Sequence, residues 1–134
     1  MISVFLGSTP SDFPEASGIQ SPFEPCPDTP NCVIYASEFD LTDDRLFEIT
    51  RLAVESMNPH KIHVNSQSHQ IDAVFRIPVF GFKDDVTIFT EPAGESKSML
   101  HIKSASRVGY SDLGVNRRRI KRIINGIQQN INNQ

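Results

Sequence analysis

Two rhythms of apolar residues run along this chain, one with the period of a helix and one with the period of a strand. The helical rhythm is clearest near the end. In VNRRRIKRIINGIQQNIN, residues 115–132, Ile120, Ile123, Ile124, Ile127 and Ile131 stand at offsets of 0, 3, 4, 7 and 11, a continuous stripe that predicts a helix packed on a core. Gly126 inside the stripe costs a little helix propensity. Residues 40–57, DLTDDRLFEITRLAVESM, predict a second helix with Leu46, Ile49, Ala53 and Met57 on one face. Asp40 or Thr42 supplies its N-cap, acidic residues fill its first turn, and Asn58-Pro59 ends it.

Between the helices lie four runs of strand character, at 61–66, 70–80, 84–91 and 98–109. In the second, Ile71, Ala73, Phe75, Ile77 and Val79 alternate with Asp72, Val74, Arg76 and Pro78; in the third, Val86 and Ile88 alternate with Thr87 and Phe89. The connections are short and polar or contain glycine, which favours successive antiparallel hairpins. The order helix, four strands, helix predicts a two-layer α+β domain with a four-stranded antiparallel sheet, over residues 37–134. Residues 1–36 carry six of the nine prolines, so they are expected as an arm that gains order only by lying on the domain.

The length of 134 residues suits one core. The composition is that of a soluble globular protein, and no apolar run is long enough to span a bilayer. The opening MISVFLGSTP lacks a basic n-region and an adequate h-region, so the expected compartment is cytoplasmic as written, and exported or lumenal if the chain is processed. Net charge is −3, but residues 1–57 carry ten Asp/Glu against two Arg, and residues 58–134 eleven Lys/Arg against six Asp/Glu. The simplest reading is that the two parts of one small domain neutralise each other.

Cys26 and Cys32 enclose CPDTPNC. That spacing is unlike a zinc knuckle and no second pair completes a site, so no metal or other cofactor is expected. A local disulfide pinning the arm and a pair of free thiols both stay open, the first in an oxidising compartment and the second in a reducing one. His60, His63, His69 and His101 show no helical i, i+4 pairing and read as surface residues. Asp84 and Asp85 point to opposite sheet faces; one is expected to cap a turn, the other to form a structural ion pair with Arg107 or Arg76.

Three stretches carry a wider signal: PCPDTPNCV (25–33), FKDDV (82–86) and KSASRVGYSDLGVNRRRI (103–120). With their spacing they resemble the family catalogued as domain of unknown function 1499, found in bacteria and plastid-bearing organisms. The resemblance covers the chain from about Pro25 onward. Many relatives look like lipoproteins or exported proteins, and the resemblance implies no particular activity.

The last stretch is the candidate site. Gly109 and Gly114 permit a bend from strand into helix, and Arg117, Arg118 and Arg119 fall in the first helical turn, where the dipole favours anions instead. Something negative has to compensate them: Asp112, Asp85 or the acidic first helix from within, or a phosphate, carboxylate or sulfated group from outside. The expected function is therefore a non-catalytic binding domain for an anionic small molecule or an acidic protein surface. Arg107, Arg117 and Arg119 would provide charge, Ser111 and Asn116 hydrogen bonds, Tyr110 the one aromatic, and Asp112 the order of the loop, while Cys26, Cys32 and Asp85 are structural. A single basic patch and an acidic pI argue against nucleic acid. Two alternatives stand beside it. One is a small hydrolase or transferase using Ser104, Ser106 or Ser111. The other is a structural subunit with an apolar open sheet face at Val74, Phe80 and Phe89.

Overall fold

The computed structural model describes residues 2–4, 21–27, 31–77, 81–107 and 114–133. Its elements are β1 (Ile2–Val4), β2 (Cys32–Phe39), α1 (Asp43–Glu55), β3 (Lys61–Asn65), β4 (Gln70–Arg76), β5 (Lys83–Pro92), β6 (Ser98–Ser106) and α2 (Val115–Asn132). All strand pairings are antiparallel, in the order β1-β2-β6-β5-β4-β3. Among the described residues, five full strands and the three-residue β1 make the sheet, where the periodicity alone predicts four. The missed strand, β2, starts inside the stretch assigned to the proline-rich arm.

Its sequence explains why. In CVIYASEF seven of the eight positions are buried, because β2 is covered on both faces and so shows no alternation. Val33, Tyr35 and Phe39 join the main core, while Cys32 and Ile34 pack with Cys26, Phe23 and Ala105 on the opposite face.

Both helices lie on one face of the sheet. Thr42 caps α1 by accepting from the Arg45 amide at 3.3 Å, and Leu46, Phe47, Ile49, Ala53 and Val54 are buried on β5 and β6. In α2, Ile120, Ile123 and Ile127 are fully buried against β6, β2 and α1. Gly126 has a use there: a Cβ at this position would stand 3.1 Å from that of Ala53, so its absence lets the two helices approach closely.

The other face of the sheet is partly roofed by residues 21–27. Cys26 is joined to Cys32 in a disulfide, and the Lys103 ammonium donates to the Glu24 carbonyl at 2.9 Å. His101, expected at the surface, is 2% exposed beneath this roof. Its ring stacks on Phe89 and meets Phe23 edge-on, and its Nε2 lies 2.9 Å from Glu91 Oε2. Burial pushes the His101 pKa below its ordinary 6.5, outweighing the upward pull of Glu91.

The cysteines are six residues apart, so the crosslink closes a small loop, and its removal by Cys26→Ser with Cys32→Ser is expected to lower stability by about 2 kcal/mol. Chemical denaturation of the two proteins checks this, together with faster hydrogen exchange at Ile34 in the variant. Because the folded pKa of His101 is depressed, the unfolded chain binds its proton first. Stability is therefore expected to fall as pH drops through about 6.5, and His101→Gln is expected to flatten that slope in denaturation curves between pH 5 and 7.

Candidate functional site

The end of β6 and the start of α2 are joined through one side-chain amide. Asn116 is fully buried in the first turn of α2. Its Oδ1 accepts from Ser104 Oγ at 2.5 Å and from Arg119 Nη1 at 2.9 Å; its Nδ2 donates to the Asn31 carbonyl at 2.9 Å and to Ser106 Oγ at 2.8 Å. Both donors and both acceptor sites of the amide are used. The backbone converges on the same place, since the Ser106 amide donates to the Asn31 carbonyl and the Arg107 amide to the Lys83 carbonyl.

Arg119 completes the cluster. It is 8% exposed, its Nη2 lies 2.7 Å from Oδ2 of the fully buried Asp84, and its guanidinium sits 4.9 Å from the centre of the Phe75 ring. Asp84 is thus not a turn cap. It is the internal counter-charge that the arginine run requires, reached because β5 turns it toward the helices while Asp85 faces the other way. The acidic residues of α1 serve other partners: Asp43 and Asp44 lie against His69, and Glu48 and Glu55 against Arg51.

The candidate residues of 104–120 that the structure describes are therefore not gathered into one pocket. Arg107 is exposed on the open sheet face, where it makes a bidentate pair with Asp85 through two hydrogen bonds of 2.9 Å that raise its pKa. Asn116 and Arg119 are interior, and Arg117 is exposed on the outer side of α2. Tyr110, Ser111 and Asp112 lie outside the described residues, as does Phe80. Ser104 and Ser106 are bonded to Asn116, and among the described residues neither is hydrogen-bonded to a histidine or lysine.

A different set of residues surrounds open space. A cleft of about 700 Å³ lies between the end of α1, the end of β4 and the first turns of α2. Met57, Phe75, Ile77 and Val115 form its apolar lining; Asn58, His60, Arg76, Arg118 and Arg122 are its exposed polar residues, with Arg119 behind them. Arg118 folds back over Gly114, whose φ of +79° and lack of a Cβ permit both the turn and the approach; a Cβ there would be 2.9 Å from Arg118 Nη1. Arg76, His60 and Arg122 escape sequence reasoning because they come from three separate parts of the chain, β4, the connection before β3, and α2. The available signal was the i, i+4 spacing of Arg118 and Arg122.

The family model described as "Protein of unknown function (DUF1499)" matches residues 23–127. The chain belongs to the DUF1499 family. No curated protein matches it. Among solved structures, the crystal structure of the di-domain ARO/CYC BexL from the BE-7585A biosynthetic pathway is similar, with a TM-score of 0.56 and 8% identity over 75% of this chain. The chain spans 46% of that structure's length, and at such identity the likeness is one of fold alone. In this DUF1499 domain the three stretches quoted above meet around Asn116: Asn31 from the first, Asp84 through Arg119 from the second, and Ser104, Ser106 and Arg119 from the third. Among the described residues no three His, Cys, Asp or Glu side chains are grouped to hold a metal ion, and no helix is long and apolar enough to cross a membrane.

Within the arginine run, burial predicts opposite outcomes at neighbouring positions. Asn116→Ala strands several buried partners and is expected to cost about 3 kcal/mol, whereas Arg117→Gln should stay within about 0.5 kcal/mol of the parent. Urea denaturation of the two variants measures the contrast.

Proposed function

We propose that this domain is a non-catalytic binding module that receives an anionic group in the cleft between α1, β4 and α2. The observation that supports this reading is the lining itself: Arg76, Arg118 and Arg122 with His60, and no Asp or Glu among the described residues that face the space. Like charges brought together raise one another's free energy, and Arg118 also opposes the helix dipole from the first turn of α2. An oxyanion between the guanidinium groups relieves these costs together, through charge-assisted and in part bidentate hydrogen bonds. Arg119 takes no direct part, since Asp84 already neutralises it.

A second reading, an acidic protein surface docking on the outside of α2, draws on the shallow groove of about 370 Å³ lined by Arg117, Arg118, Lys121, Arg122 and Asn125. The two sites share Arg118 and Arg122. Arg76 belongs to the cleft alone, while Arg117 and Lys121 belong to the outer groove alone.

That division sets the experiment. Thermal melting with phosphate, sulfate and citrate is expected to show a rise of roughly 5–10 °C at a hundredfold excess over Kd. The rise should vanish in Arg76→Gln with Arg118→Gln and persist in Arg117→Gln with Lys121→Gln. The reverse pattern would move the site to the outside of α2, and no rise with any of the three would overturn the anion reading.

A further inference from the structure

Resting on the cleft reading above, we infer that its ligand is an amphipathic anion, one oxyanion head carrying an aromatic or aliphatic body, and not a bare inorganic ion. Two observations independent of the arginines lead there. The first is size. The cleft of about 700 Å³ falls within the range of small-molecule sites, whereas a phosphate or sulfate ion has only five heavy atoms and would leave most of it to water. The second is composition. Met57, Ile77 and Val115 are half-buried and Phe75 contributes from the core behind them, so apolar surface from the ends of α1 and β4 and the start of α2 lines the same space as the cations. Such surface gains free energy when an apolar body displaces water from it, and an ion held at the rim would not reach that gain.

The residue types fit such a guest. Met57 follows the end of α1 and has an unbranched, polarizable side chain that adapts to irregular shapes. Phe75 is buried, with the Arg119 guanidinium 4.9 Å from its ring centre, so the base of the cleft is packed into the core while Met57 in its wall is adaptable. Arg76, Arg118 and Arg122 come from two elements, β4 and α2, and can converge on a head group from two sides, which sets the orientation of the guest: head toward the guanidinium groups, body toward Met57 and Val115. A neutral apolar molecule would make no use of the guanidinium groups, and a highly charged polyanion would leave the apolar wall wet.

Isothermal titration of the full chain with 2-naphthyl phosphate, decyl phosphate, inorganic phosphate and 2-naphthol tests this. The two phosphate monoesters are expected to bind at least tenfold more tightly than inorganic phosphate, and 2-naphthol far more weakly than 2-naphthyl phosphate. Met57→Gln and Val115→Thr, each checked by thermal melting for an intact fold, should remove most of the tenfold advantage and leave inorganic phosphate binding unchanged. A preference for the naphthyl over the decyl ester, or the reverse, distinguishes an aromatic from an aliphatic body within the same class. Equal affinity for inorganic phosphate and both monoesters would overturn the amphipathic inference and leave the anion site standing. Tight 2-naphthol binding would overturn the anion reading itself, and so would monoester binding that survives Arg76→Gln with Arg118→Gln.

Discussion

The tertiary structure hangs on a single buried amide. Asn116 has no freedom left: two bonds in and two bonds out tie the start of α2 to β6, to the residue before β2 and to Arg119. Buried polar groups are costly unless every donor and acceptor finds a partner, so a fully satisfied amide specifies one arrangement of its neighbours and penalises all others. The helix has no side-chain N-cap, since Gly114 occupies that position. Asn116 instead anchors the helix from within its first turn, and in doing so sets the rotation of α2 about its axis.

That rotation decides what each arginine of the run does. Successive helical residues turn by about 100°, so three adjacent arginines cannot share an environment. Arg119 points inward to Asp84 and the Phe75 ring, Arg118 reaches the cleft beside Gly114, and Arg117 faces out over the surface of α2. The buried pair holds the helix end against the sheet. The exposed members, joined by Arg122 one turn on and by Arg76 from β4, make the positive rim on which the functional reading rests. On that reading, stability and recognition are divided between residues adjacent in sequence.

The opposite face of the sheet is governed by a different constraint. Residues 21–27 cover β2 and β6 there, fastened by the Cys26–Cys32 disulfide and by Lys103 to the Glu24 carbonyl. This cover buries His101, and among the described residues its Nδ1 has no hydrogen-bond partner, in keeping with desolvation outweighing Glu91 in setting its charge. A stretch rich in proline cannot add strands readily, yet it can lie as a roof, because its missing amide donors need no partners.

Much of the fold was legible because both helices are amphipathic and β4 and β5 alternate between a helix-covered face and a more open one. The isoleucine stripe of α2 and the stop at Asn58-Pro59 come straight from local chemistry. The sequence by itself also determined the family, since the three stretches that carry the resemblance are long and specific. It concealed β2, whose two covered faces erase the alternation that marks a strand, and it left His101 looking like a surface residue. The site was only partly legible for a related reason. A sequence shows that three arginines adjoin at a helix start, but which one turns inward depends on a strand residue, Asp84, thirty-five positions away from Arg119. The cleft that gathers Arg76, His60, Arg118 and Arg122 exists only once α1, β4 and α2 are packed together, because charge and apolar surface become a site through distance in space, and tertiary structure alone sets that distance.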